Sequence, residues 1–215
     1  MSADALRIAG FLDPRRALSF FEELPGGAEV WAGDLGASAD PDQALLAAIR
    51  LHEADPGLVR SLVDDARARV RLCAVLGGSQ WLGDYVIADP ARARAIWEDP
   101  GEAARVMLAS VGATRVESGV FVASEDAGVD DLRGAYRRVL LYLAADDLTS
   151  DDPEGLMPQV GRRIADLVDA TLEAGLALAR RDIDPQGLIP FAIIAMGKTG
   201  ARELNYISDV DVVYV

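Results

Sequence analysis

A single cysteine and a single histidine, Cys73 and His52, remove several chemistries before any pattern is sought. One thiol forms no intramolecular disulfide, and no Cys/His cluster with zinc-binding spacing is present. Cys73 lies in Arg71-Leu72-Cys73-Ala74-Val75-Leu76, an apolar helical context, and reads as a small buried hydrophobe. His52 has no partner histidine or cysteine nearby and reads as a surface or helix-end residue, so nothing supports a Ser-His-Asp mechanism. Positive charge is also scarce: 21 Lys+Arg stand against 35 Asp+Glu, a net charge of −14. That balance repels a polyphosphate backbone and no basic patch offsets it, which argues against nucleic acid as a partner. No apolar run is long enough to cross a bilayer, and Met1-Ser2-Ala3-Asp4-Ala5 lacks the basic start and apolar core of a signal peptide. The expectation is a soluble, cytoplasmic protein with no membrane partner.

What is present is an ordinary globular composition, 51% hydrophobic over 215 residues, enough for one sizeable domain or one domain and part of a second. Asp13-Pro14 starts a short helix that Pro25-Gly26-Gly27 breaks, and Gly33, Gly36 and Asp40-Pro41 punctuate the next stretch. Asp40 caps a helix from Pro41, and Asp55-Pro56-Gly57 stops it. Leu58, Leu62, Val63, Ala66, Val70 and Cys73 then recur at helical steps, as one core-facing stripe. Gly77-Gly78 ends that helix, Ser79 caps the next, and Trp81 reads as packed in the corner. Short helices are expected over residues 91–97 and 102–110, and a short strand or loop over 114–122. A clear apolar face runs from Leu132 to Leu148, with Arg133, Arg137 and Arg138 beside it. The longest helix is expected from Leu156 to Ala179, with Arg180-Arg181 opposing its macrodipole.

The chain is organised around its last stretch, FAIIAMGKTGARELNYISDVDVVYV. Phe191-Ala192-Ile193-Ile194-Ala195-Met196 is short and β-branched enough for a buried strand. A glycine-bounded turn comes next at Gly197-Lys198-Thr199-Gly200, and a second strand-like run covers residues 210–215. Gly197-Lys198-Thr199 looks like the tail of a phosphate-binding P-loop, but that motif needs a glycine where Ala192 stands and a loop where a strand is expected. Asp209 and Asp211 sit two apart, which on a strand places both carboxylates on one face. Two carboxylates that close repel unless a cation lies between them, and a hard divalent ion such as Mg²⁺ meets that need.

The string G-K-T-G-A-R-E-L-N-Y-I-S-D-V-D-V-V-Y resembles the signature of the bifunctional glutamine synthetase adenylyltransferase/adenylyl-removing enzymes, G-K-L-G-G-x-E-L-N-[YF]-x-S-D-[IL]-D-L. Thr199 stands where leucine is usual, and Ala201 where a second glycine is usual, at a turn position where glycine permits φ > 0. Leu76 to Asp84 resembles the family's G-x-S-x-x-L-G-D corner, and residues 132–148 its arginine-rich helix.

The resemblance implies a mainly α chain: a helical N-terminal region over residues 1–185, then the first β-hairpin of a truncated α/β nucleotidyltransferase domain from 186 to 215. It implies that Asp209 and Asp211 are the catalytic, Mg²⁺-binding pair, and that Gly197 and Ser208 approach phosphate oxygens, with Lys198 offsetting charge and Glu203 and Asn205 orienting the turn. The implied partners are glutamine synthetase as protein substrate, a nucleotide (ATP or ADP, with the AMP group) and phosphate, and a nitrogen-signalling regulatory protein. This part would belong to the removing half, which takes AMP off a tyrosine by phosphorolysis and gives ADP. Two strands alone are marginal, so the expectation is a fragment inactive by itself. Another metal-dependent nucleotidyltransferase and a non-catalytic helical interaction domain remain as alternatives.

Overall fold

Aspartate followed by proline starts five helices in this chain. Proline's fixed φ suits the first helical position, and the preceding carboxylate accepts an otherwise unpaired amide of the first turn. Asp13, Asp40, Asp55 and Asp152 accept from Arg16, Gln43, Leu58 and Gly155, and Asp89 accepts from Ala91. Each such cap stabilises its helix by about 1 kcal/mol.

The computed structural model describes residues 1–215, which divide into two compact units. The first comprises residues 1–98 and 144–151. It holds α1 (Ala3–Ile8), α2 (Pro14–Phe21), α3 (Gly27–Gly36), α4 (Pro41–Ala54), α5 (Pro56–Ser61), α6 (Ala66–Gly78), α7 (Gln80–Ile87) and a 3₁₀ segment over Pro90–Ile96. Its core gathers Leu6, Phe11, Phe21, Trp31, Leu35, Leu45, Leu72 and Leu76. Trp31 is fully buried, and its indole N–H donates to the Pro25 carbonyl at 2.8 Å. A half-buried and a buried guanidinium tie the helices: Arg69 to Asp34 at 2.6 Å, and Arg71 to the Ile96 carbonyl at 2.7 Å.

The second unit comprises residues 99–143 and 152–215. It holds α8 (Ala103–Ser110), the hairpin β1 (Thr114–Arg115) with β2 (Phe121–Val122), α9 (Val129–Leu148, through Leu143), α10 (Pro153–Ile183), β3 (Ile193–Ala195), α11 (Gly197–Ala201) and β4 (Val212–Tyr214). The chain is therefore mainly α with two antiparallel two-stranded sheets. The 31-residue α10 is the platform. Its buried stripe of Val160, Ile164, Leu167, Val168, Ala174 and Leu178 packs with Met107, Val111, Leu132 and Val139. At its C-terminal end Arg180 reaches the Phe121 carbonyl (3.5 Å) and Glu173 (3.4 Å), while Arg181 donates to the carbonyls of Ser124 and Ala127. Those two arginines fasten the β2 region to α10 as well as opposing its dipole.

Several local expectations are corrected. Gly33 and Gly36 lie inside α3, because neither is at a break in the backbone hydrogen bonding and Trp31, Ala32 and Leu35 bury the helix face. The single stripe over residues 58–74 is two helices, α5 and α6; Asp65 caps α6, and Val70 is 40% exposed. Trp81 is 53% exposed and stacks on Tyr85 (centroids 6.1 Å apart) rather than entering the core. Cys73 is buried as expected, and burial pushes its thiol pKa far up.

Candidate functional site

The candidate site is built on the hairpin of β3 and β4 and the single helical turn between them. Ile193 pairs with Tyr214, Ile194 with Val213 and Ala195 with Val212. Backbone bonds between Ala192 and Val215 (2.9 and 3.0 Å) and from Met196 N to Asp211 O (2.9 Å) extend the ladder at both ends. The strand expected to be buried is not: Ile194 is 48% exposed, because the two-stranded sheet has a face that no other element covers. The aspartates also differ from expectation. Asp209 and Asp211 precede β4 rather than lie within it, so strand alternation does not set their directions. Both are exposed, at the end of the hairpin where α11 begins.

Gly197 opens α11 with φ of +53°, and a Cβ placed there would meet Asp211 Oδ2 at 2.8 Å. Glycine suits the left-handed φ, and a larger residue there would push the exposed Asp211 carboxylate aside. Gly200 is similarly confined, since a Cβ there would lie 2.5 Å from the Ala195 carbonyl oxygen. Thr199 is buried with its hydroxyl unpaired, where the leucine usual in the family leaves no polar atom to satisfy.

The turn closes in a Schellman arrangement. Arg202 N donates to Thr199 O (3.1 Å) and Glu203 N to Lys198 O (2.9 Å), with the residue after the helix left-handed. That residue is Arg202, at φ 61°, and it is the only non-glycine residue with positive φ. Ala201 keeps negative φ, so its replacement of the usual glycine does not strain the turn. The Arg202 guanidinium forms ion pairs with Asp166 and with Asp169 (3.4 Å) on α10. Its hydrogen bond with Asp166 raises the pKa of Arg202. Burial raises the Asp169 carboxyl above its ordinary value, with Arg202 opposing that rise.

Beyond Arg202 the chain lies directly on α10. Leu204 is 3% exposed within the α10 core, and a Cβ at Gly161 would sit 3.3 Å from the Leu204 carbonyl oxygen. The loop then closes on itself. Asn205 N donates to Ser208 Oγ (3.1 Å), Ser208 Oγ donates to Asn205 Oδ1 (2.8 Å), and Ile207 N donates to Asn205 Oδ1 (3.1 Å). Asn205 thereby orients the residues that deliver Asp209, and the Ser208 hydroxyl is engaged within the loop. Sequence reasoning missed Gly161, Asp166, Asp169 and Arg202. The ion pairs of Arg202 span 33 to 36 residues, and two aspartates on the polar side of a helix carry no local signal.

No group of three or more His, Cys, Asp or Glu side chains forms a metal site by itself. The donor set nevertheless suits Mg²⁺, which is commonly held by one or two carboxylates with water and phosphate oxygens completing its shell.

The glutamate-ammonia ligase adenylyltransferase family profile matches residues 69–215, and the chain belongs to that family. The bifunctional glutamine synthetase adenylyltransferase/adenylyl-removing enzyme of Bifidobacterium longum is 35% identical over the whole chain, which covers 22% of that protein. The enzymes of the same name from Streptomyces avermitilis and Mycolicibacterium smegmatis are each 40% identical, over 96% and 86% of this chain and 21% and 19% of their own lengths. The chain thus spans about a fifth of the length of the curated relatives it matches. No solved structure gives a significant match.

Proposed function

We propose that this chain supplies the first elements of an adenylyl-removing site, which acts on a tyrosine of glutamine synthetase carrying AMP. The observation that carries the reading is the Asp211 carboxylate seated against Gly197, with Asp209 two residues before it. Membership of the family supports the substrate, since the relatives' names specify glutamine synthetase. The resemblance of residues 197–214 to the family signature supports a nucleotidyl-transfer site, and the removing half is our reading of which of the two it is.

In the proposed reaction an oxygen of inorganic phosphate attacks the adenylyl phosphorus. The bond from phosphorus to the tyrosine oxygen breaks, its electron pair leaves with that oxygen, and the proton lost by the attacking phosphate ends there. ADP and unmodified tyrosine result. Asp209 and Asp211 are the residues that would hold Mg²⁺, which supplies charge neutralisation between the nucleophile and the transferring group. Gly197 and Ser208 are the phosphate-approaching positions; the Ser208 hydroxyl, which donates to Asn205 Oδ1 here, would turn from that bond to donate to phosphate. Little covalent work falls to the protein; positioning and charge account for the rate.

The test is Asp209→Ala in an enzyme of the relatives' full length that carries these residues. Removal of AMP is expected to be abolished and attachment from ATP to stay near wild type. Loss of attachment with removal intact would place this site in the other half.

A further inference from the structure

Three anchors hold the α11 turn on α10. Leu204 is buried in the helix core, and the chain at 202–204 lies against Gly161. The third anchor is the exposed guanidinium of Arg202. We propose that Arg202 is a positioning residue: its pairing with Asp166 and Asp169 fixes the α11 turn, and through Gly197 the Asp211 carboxylate, in the geometry that transfer requires. The inference rests on the proposed adenylyl-removing function.

Arg202 is the left-handed residue that ends α11, where glycine is the usual choice and a side chain is strained. A glycine here would relieve that strain but supply no charge. The five residues of α11 join Arg202 to Gly197 without an intervening loop. Gly197 lies against Asp211 Oδ2, and Met196 N is bonded to Asp211 O at 2.9 Å. A shift at Arg202 therefore reaches the metal-binding carboxylate through one helical turn. The ion pairs themselves are about half exposed, so they add little to global stability. Their effect is local: they choose one orientation of a turn that Leu204 alone would leave free to pivot.

Arg202→Gly is the test, made in the same full-length enzyme beside Asp211→Asn. Expected results are an unfolding midpoint that does not fall and faster hydrogen exchange at the amides of residues 196–203. The removal kcat should fall about tenfold to a hundredfold, the scale of an ångström misplacement, with KM for phosphate nearly constant. The charge exchange Arg202→Asp with Asp166→Arg should restore part of kcat, because aspartate tolerates the left-handed conformation. A raised KM for phosphate with kcat retained would overturn the proposal in favour of direct substrate contact. Unchanged kcat and exchange would overturn it in favour of a surface pair without consequence. If Asp211→Asn leaves removal intact, the functional reading itself fails, whatever Arg202→Gly does.

Discussion

Gly197 and Asp211 form the constraint in the site that reaches a candidate metal ligand. A methyl group at 197 would lie 2.8 Å from Asp211 Oδ2, and the backbone there is left-handed at +53°. Gly197→Ala is expected to cost about 1–2 kcal/mol from the backbone alone and to displace the carboxylate. Under the proposed function, its signature in an enzyme of the relatives' full length is removal lost more severely than thermal stability, read by activity and calorimetry on one sample. At this scale the sequence is informative where a motif names the residue: Gly197, Ser208, Asp209 and Asp211 all fall in one short segment. It is uninformative about Arg202, because a positive φ one position beyond the expected glycine depends on how α11 ends, and its partners lie on another helix.

Among the elements, α10 and its C-terminal turn set where the hairpin starts. Asp184 ends the helix, and its carboxylate accepts from the amides of Leu188 (3.0 Å) and Ile189 (2.9 Å). Those amides hold its pKa below the ordinary aspartate value of 3.8. A depressed carboxylate pKa stabilises the fold above the unfolded-state value, and the contribution disappears as pH falls through the folded-state value. Wild type should therefore be more stable than Asp184→Asn at neutral pH, with the difference vanishing in acid below 3.8. Denaturant unfolding across that range checks the sign.

The helix α3 gives a second element-scale prediction. A Cβ at Gly33 would meet nothing within 4 Å, and its φ is negative. Gly33→Ala should stabilise the protein by roughly 0.5–1 kcal/mol, through a smaller loss of backbone entropy on folding; the urea unfolding midpoint reports it. The same position shows why α3 is hard to recognise from sequence. Glycines 33 and 36 look like punctuation in a one-dimensional pattern, yet burial of Trp31, Ala32 and Leu35 on a common face outweighs their weak helix propensity. Capped starts are legible because an Asp-Pro pair acts within four residues: α2 and α4 begin where the sequence permits, whereas α10 starts on Asp152-Pro153, ahead of the expected Leu156. The division between α5 and α6 is not legible, since the apolar recurrence continues across it.

Over the whole molecule, the sequence by itself determined the helical class, the capped starts, burial of Cys73 and the final strand–turn–strand segment with its family signature. These depend on local chemistry: periodic burial, side-chain to backbone hydrogen bonds, and the short spacing of glycine, serine and aspartate. Tertiary structure decided what those residues rest on. It placed Asp209 and Asp211 before β4 instead of within it, and set Gly197 against a carboxylate. It also anchored the turn through Gly161, Leu204 and the Arg202 ion pairs to α10. Contacts across 33 or more residues depend on packing geometry, which no local pattern encodes.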